Sequence, residues 1–319
     1  MPVILKTAHR PAPSPDNRPD GETDAVTDVP PDWPELWGQM LAARSGQPMP
    51  ATRRAAVVWG EATGWTVKGP CSARSATLFD VYKPALDARS RPASGPWLVA
   101  QMGQSLDGFV ATSTGDSYFV NGPHSLVHLH RLRALCDAVI VGAGTVATDN
   151  PQLTTRRVPG PNPARVLIDP AARLDGRARA LVDGQARTLW VCDARHADRA
   201  RACAPQAEVL SVDGLLDDLP GGSCYSVHRA VAALAEQGLR VLFVEGGGVT
   251  VSRFFAAGAL HRLHLSVAPV LIGEGRRGLQ VPARPVMADC PRPPARRVAL
   301  GDDMLWDLDL TSLSPAPAG

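Results

Sequence analysis

Two glycine-rich turns hold the residues with the clearest chemical potential in this sequence. In Val241-Leu-Phe-Val-Glu-Gly-Gly-Gly-Val-Thr-Val-Ser-Arg-Phe-Phe255 an apolar run ends in Glu245 and three glycines, then opens a helical pattern. Glycines let a backbone approach a ligand closely. The first amides of a helix are unsatisfied donors at the positive end of its dipole, so such a turn binds phosphate. Thr250, Ser252 and Arg253 add side-chain donors beside it. The same glycines also serve an ordinary tight turn from strand to helix. The second turn, Val141-Gly-Ala-Gly-Thr-Val-Ala-Thr-Asp-Asn-Pro151, runs a strand into two glycines and then fixes a carboxylate, Asp149, before a proline. Asp149 there is a fixed carboxylate available for chemistry, or simply a cap or turn residue.

Other motifs carry less. Gly273-Glu-Gly-Arg-Arg-Gly278 spells G-x-G-x-x-G, but Leu279-Gln-Val-Pro282 follows and no helix opens, so the dinucleotide fingerprint lacks its context. A mobile loop is expected there. His124 and His128 have the i, i+4 spacing of metal ligands, with His130 close by, yet no H-E-x-x-H carboxylate or acidic third ligand accompanies them. They read as solvated histidines on a helix face, and no metal is expected. No G-x-S-x-G nucleophile elbow occurs.

The elements that must position these residues follow from pattern. With 45% hydrophobic residues in 319, the chain can bury a substantial core. Its 33 basic and 31 acidic residues nearly cancel, which leaves no strong field to draw in nucleic acid. There is no apolar run of membrane-spanning length, and the apolar start is too short for a secretory signal, so a cytoplasmic protein off the membrane is expected. The six cysteines are scattered without a C-x-x-C pair and read as free thiols. Residues 1–32, rich in Pro, Asp, Thr and Arg, read as a disordered tail. Residues 33–95 form a small ordered extension of unknown role, with a short helix near Trp33 and strand-like Arg54–Trp59 and Thr77–Tyr82. Its end, Arg89–Pro96, is punctuated like a linker.

From residue 96 to 312 short apolar runs alternate with helical segments, the pattern of an α/β domain with a largely parallel sheet. The strands expected are Trp97–Gln101, Ala138–Val141, Arg165–Ile168, Thr188–Cys192, Glu208–Ser211, Val241–Val244 and Arg262–Ala268. Helices are expected over Ser125–Leu135 and Ser226–Gln237. Pro282–Pro294 is a loop. Asp303–Leu310 alternates like a closing edge strand.

Several blocks in order and register carry a family resemblance: Gln104-Ser-Leu-Asp-Gly108, Gly115-Asp-Ser117, Leu132-Arg-Ala134, Asp137–Gly142, Gly144-Thr145, Asp149-Asn-Pro-Gln-Leu153, Arg165–Asp169, Glu245–Gly248 and Ala268–Gly273. From about residue 96 to 310 the chain resembles the reductases of riboflavin biosynthesis. The resemblance implies a dihydrofolate-reductase-like fold with a mixed, mostly parallel sheet flanked by helices. It also implies NADPH as hydride donor, a homodimer, and a ribosylaminopyrimidine 5′-phosphate whose ribose is reduced at C1′.

Carried over by motif, substrate contacts fall on Ser117, Arg133, Leu153, Arg156 and Glu245. The two arginines suit the phosphate because each offers a planar fork of donors. Cofactor contacts fall on Gly103, Phe119, Thr145, Asp149, Gly247, Gly248, Val249, Thr250, Val251, Ser252 and Arg253. Asp149 is the candidate proton relay or orienting carboxylate, and Arg253 a partner for the 2′-phosphate of NADPH.

Two departures bear on substrate. Gln101 stands where bacterial reductase domains usually carry a lysine; archaeal and fungal relatives, which act before deamination, are neutral there. The H-x-E and P-C-x-x-C of a fused zinc deaminase are missing, since Pro70-Cys-Ser-Ala-Arg74 lacks the second cysteine. A separate protein is therefore expected to supply deamination. A related reductase of another heterocycle would keep Gly247–Arg253 without using Arg133 and Arg156 for phosphate. A binding relative that has lost turnover would bind NADPH without oxidising it.

Overall fold

A computed structural model describes residues 29–50, 52, 55–91, 95–117, 120–216 and 225–313. In chain order the elements are α1 (Trp33–Ser45), β1 (Ala56–Gly60), β2 (Gly64–Lys68), α2 (Ala73–Ser90), β3 (Trp97–Ser105), β4 (Phe109–Thr112) and α3 (Pro123–Leu135). Then come β5 (Ala138–Gly142), α4 (Ala143–Asp149), β6 (Ala164–Ile168), α5 (Arg179–Val182), β7 (Thr188–Asp193), α6 (Ala197–Cys203), β8 (Glu208–Val212) and α7 (Val227–Glu236). The chain closes with β9 (Val241–Glu245), α8 (Gly248–Ala256), β10 (Arg262–Ala268), β11 (Gly275–Arg277), β12 (Ala295–Leu300) and β13 (Asp303–Asp309).

One nine-stranded sheet runs β12-β13-β10-β3-β9-β5-β6-β7-β8. Its pairs are parallel from β10 through to β8, while β13 and β12 add an antiparallel margin. Strands buried on both faces read as continuous apolar runs, which is why Ala138-Val-Ile-Val141 and Val241-Leu-Phe-Val244 were recognisable. The alternation of β9 splits the core. Val241 and Phe243 join the side chains under α1, α2 and α3, whereas Leu242 and Val244 join those under α7 and α8.

The extension is helical where a strand was expected. Thr77–Tyr82 lies inside α2, capped by the Ser72 hydroxyl, because Leu78, Phe79, Tyr82, Ala85 and Leu86 recur at helical spacing and bury one face. Pro84 in its interior frees the Asp80 carbonyl, and Arg296 of β12 donates to that oxygen at 2.7 Å. The ordered body also begins before residue 33. Val29 packs on the core, and the Asp32 carboxylate accepts from the Ser72 amide at 2.6 Å and from the Ser72 and Ser75 hydroxyls at 2.9 Å each.

Two other expectations change. Asp303–Asp309 is not an edge: β12 covers it, drawn from residues adjoining the Pro/Arg-rich loop, with Ala295 to Leu300 paired to Leu308 to Asp303. The Gly273–Gly278 segment is not simply a loop, since Gly275–Arg277 pairs with β4. Among the described residues no helix is long and apolar enough to cross a membrane, and no group of three His, Cys, Asp or Glu could hold a metal.

Candidate active site

In an open parallel sheet, ligands bind beyond the carboxyl ends of the strands where the chain reverses direction across the sheet. Here the chain steps one way from β3 through β5, β6, β7 and β8, then returns with β9 between β3 and β5 and goes on to β10. The glycine-rich turns after β5 and β9 therefore meet at the reversal. Gly247 donates to the Thr145 hydroxyl at 3.4 Å. Gly246 has φ +113°, and a Cβ there would lie 3.0 Å from the Thr145 hydroxyl. A Cβ on Gly142 would strike the Thr250 hydroxyl at 2.6 Å. Both turns need glycine because they pack against each other, whatever else they bind.

α8 opens on Gly247 with no side-chain cap on its first amides, and Val249 stands 68% exposed at its head. Those donors, with the Thr145 hydroxyl beside them, fit an anionic group. The remaining residues of the segment divide. Gly248 makes room for protein, since a Cβ there would meet the Arg277 and Gly278 carbonyl oxygens at 2.6 and 2.4 Å. Val251 is fully buried in the core and Thr250 nearly so. The Ser252 hydroxyl accepts from the Gln280 amide at 2.8 Å. Arg253 lies over the Tyr225 ring, 4.6 Å from its centroid. Asp149 is the half-buried last residue of α4, followed by Asn150 in the left-handed region at φ +43°.

The expected substrate residues come together, but in an unexpected arrangement. Arg133 on α3 is 1% exposed, and its guanidinium grips Glu245 with both arms: Nε to Oε2 at 2.9 Å and Nη2 to Oε1 at 2.6 Å. Nη1 donates to the Thr154 carbonyl at 2.9 Å. Expected to hold the phosphate, Arg133 instead rests here buried against a carboxylate and a carbonyl. Arg156 is half-buried; its Nη1 donates to the Thr154 hydroxyl at 2.8 Å and its amide to His130 Nδ1 at 3.0 Å. Leu153, at φ +60° and fully buried, turns the chain between Asp149 and Thr154.

Gly103 on β3 is closed by protein: a Cβ would sit 1.6 Å from the Asn121 side-chain oxygen. Ser117 is half-buried, and Phe119 lies outside the described residues. Gln101 stands directly opposite Glu245 on one side and His264 on the other, so the three share a row and a face of the sheet.

The sequence reading placed the histidines of α3 in solvent, and the structure buries His128 and His130. A chain of hydrogen bonds runs from the Tyr82 hydroxyl to His128 Nδ1 (2.7 Å) and from His128 Nε2 to His264 Nδ1 (3.0 Å). His264 Nε2 then lies 3.3 Å from Asp307 Oδ1, which also takes Arg262 Nη2 at 2.5 Å. Burial pushes the His128 pKa well down, and His264 and Arg131 push the same way against the opposing charge of Asp307. Burial raises Asp307, but His264 and Arg262 outweigh it and hold its carboxyl far below the usual range.

Asp107, in the Gln104–Gly108 block, was not singled out from sequence. Its carboxylate accepts the Ser105 hydroxyl at 2.5 Å and the Gly273 amide at 2.6 Å, which with the Ile272 amide pull its pKa to about 2. It thus ties the Ala268–Gly273 block to the β3–β4 turn.

The family model described as the RibD C-terminal domain matches residues 96–286. The chain belongs to the RibD C-terminal domain family. It is 30% identical over 216 residues to the 2,5-diamino-6-ribosylamino-4(3H)-pyrimidinone 5′-phosphate reductase of Methanothermobacter thermautotrophicus, covering 66% of this chain and 96% of that protein. It is 33% identical over 184 residues to the riboflavin biosynthesis protein RibD of Bacillus amyloliquefaciens, covering 56% of this chain but 47% of that protein. The chain thus spans about half the length of that RibD.

Two solved structures share the fold. Acinetobacter baumannii RibD, form 1, aligns with a TM-score of 0.58 at 23% identity over 74% of this chain and 62% of its own. Saccharomyces cerevisiae Rib7 aligns with a TM-score of 0.57 at 19% identity over 73% and 98%. The RibD family model begins one residue before β3, so α1, β1, β2 and α2 lie ahead of the matched segment.

Proposed function

We propose that this RibD-family chain is a cytoplasmic, homodimeric NADPH-dependent reductase that opens the ribose of a ribosylaminopyrimidine 5′-phosphate into a ribityl chain. The observation that carries the reading is the meeting of Glu245, held by Arg133, with the uncapped head of α8 and the Thr145 hydroxyl at the reversal of the sheet. The substrate favoured is the diaminopyrimidine, not its deaminated counterpart. Support comes from the named substrate of the archaeal relative that this chain covers almost end to end, and from the neutral Gln101 beside Glu245.

NADPH supplies the hydride when bound. The amides of Gly248 and Val249 with the Thr145 hydroxyl would hold its phosphates, and Arg253, braced on Tyr225, would supply a cationic partner for a 2′-phosphate. In the substrate C1′ gains the hydride, the bond from C1′ to the ring oxygen breaks, and that oxygen takes a proton. Arg156, its guanidinium held by the Thr154 hydroxyl, takes the phosphate in this reading, Ser117 borders the sugar, and the buried Leu153 turns the chain that presents Arg156. The lone pairs of Glu245 left by Arg133 accept from the N–H and O–H groups of the substrate. Asp149 orients or relays the proton.

Purified protein with NADPH is tested against the diaminopyrimidine ribosylamino phosphate and, in parallel, its deaminated counterpart. Oxidation of NADPH is expected with the first. Turnover of the second alone would reverse the substrate assignment, and no turnover of either with NADPH still bound would withdraw it in favour of another heterocycle. Asp149→Asn is expected to lower kcat by about a hundredfold; near-normal turnover would remove that role.

A further inference from the structure

The extension ahead of the family-matched segment does not sit apart from the site. Its helices rest on the elements that carry the substrate residues. Arg44 on α1 reaches the end of α3, donating through Nε to the Leu135 carbonyl at 3.3 Å and through Nη2 to the Cys136 carbonyl at 3.1 Å. These are among the last carbonyls of α3, which have no partner within the helix. Two residues upstream of Leu135 is Arg133. Trp37 on α1 donates its indole N–H to the Pro159 carbonyl at 2.9 Å. Gly160 fits against the same surface: a Cβ there would be 2.6 Å from Ala134 Cβ and 3.4 Å from Leu41. Trp33 stacks under the Arg131 guanidinium, 4.9 Å from its ring centroid, and Tyr82 of α2 bonds His128.

Together these contacts fix two pieces of backbone relative to each other. One is α3, which carries Arg133 and His130. The other is the segment 154–160, whose Thr154 carbonyl receives Arg133 and whose Arg156 amide is held by His130. Within the matched domain the two are joined by those bonds. From outside, α1 grips each piece separately, by Arg44 at one and Trp37 at the other. A loop carrying a phosphate ligand loses affinity when it must be ordered on binding, so a brace that orders it beforehand improves binding without touching the ligand.

We propose that α1, supported by α2, braces the substrate site, with Arg44 and Trp37 as positioning residues that pre-set Thr154 and Arg156 for the phosphorylated substrate. The inference rests on the function proposed above. It assigns a role to a segment that the family model does not reach.

The test uses the full chain with three substitutions and one control. Trp37→Phe keeps an aromatic ring in the buried position and loses the indole N–H. Arg44→Gln loses the fork, and Arg44→Lys restores one donor. Trp59→Leu, on the hairpin away from α3, serves as the control for general loosening of the extension. Steady-state kinetics with the diaminopyrimidine phosphate are measured beside amide hydrogen exchange of residues 154–160 in the free protein.

Trp37→Phe and Arg44→Gln are each expected to raise KM for the phosphorylated substrate by about fivefold, the equivalent of one hydrogen bond. Little change is expected in kcat or in KM for NADPH, and Lys at 44 should recover part of the loss. Exchange at 154–160 should quicken in the two variants but not in Trp59→Leu. Unchanged KM and exchange, or an equal rise in Trp59→Leu, would overturn the proposal. Should wild type fail to turn over the substrate, the function falls, and the exchange data alone decide whether the brace exists.

Discussion

The two faces of the central sheet differ in how much polar chemistry they bury. Beneath α7 and α8 the strands offer Leu98, Ala100 and Met102 from β3, Leu242 and Val244 from β9, and Leu263 from β10, all buried and apolar. On the face under α2 and α3 the same strands offer Gln101, Glu245, and the series Arg262, His264 and Ser266. β10 shows the contrast within seven residues. Its polar Arg262, His264 and Ser266 are more deeply buried than its Leu265 and Val267. Such burial is tolerable only when each polar group finds a partner. Here Asp307, His128 and Ser125 supply them, with Ser125 and Ser266 hydroxyls 2.7 Å apart. On these strands the face under α7 and α8 is held by apolar packing, while the other face adds to its own apolar core, with Val99, Val241 and Phe243, a polar network whose parts depend on one another.

The largest effect is expected where that network meets the site. Arg133→Ala leaves Glu245 and the Thr154 carbonyl without their partner and should cost about 3–5 kcal/mol in chemical denaturation, with loss of turnover. A smaller cost, with activity kept, would show that the polar face tolerates gaps. On the other face Leu234→Ala should cost about 2–4 kcal/mol through its cavity, while Leu234→Met costs under about 1.5 kcal/mol. A large penalty for Met would blur the contrast.

The faces should also differ in their response to acid. Because burial holds folded His128 neutral, the unfolded chain binds a proton near pH 6.5 that the native protein refuses. Stability is therefore full above that value and falls as pH drops below it, by about 1.4 kcal/mol per pH unit. His261, also held down by burial, adds in the same direction. Denaturation curves between pH 5 and 7 should flatten in His128→Gln and keep their slope in Leu234→Ala. A slope unchanged in His128→Gln would remove this histidine from the acid response.

The smallest effect is expected at Asp107. Its carboxylate is drawn to about 2 by Ser105 and the amides of Gly273 and Ile272, so its contribution is present above about pH 4 and fades as pH falls toward 2. Asp107→Asn should lower Tm slightly at neutral pH and speed exchange of the Ile272 and Gly273 amides. Unaltered exchange would mean that the two family blocks are joined by other contacts.

Much of this architecture was legible in the chain itself. Seven strands were visible because buried parallel strands are short apolar runs, and α7 because Val227, Val231 and Leu234 recur at helical spacing. The reversal of the sheet drew the two glycine turns together, which the pattern of neither turn announced. Other features were hidden for physical reasons. Thr77–Tyr82 has the branched and aromatic content of a strand, and only its burial period and the Ser72 cap make it helical. β12 lies next to a Pro/Arg-rich loop and contains two arginines, so nothing in its pattern marks it as a strand; pairing with β13 decides it.

By itself the sequence determined the periodicities, the glycine turns and the family blocks, all of which depend on neighbours close in the chain. The tertiary structure alone decided which polar side chains enter the core. Arg133 finds Glu245 across 112 residues, Ser125 finds Asp303 across 178, and Trp37 finds Pro159 across 122. A charged or polar side chain can be buried only by a partner, and no local pattern names a partner so far away.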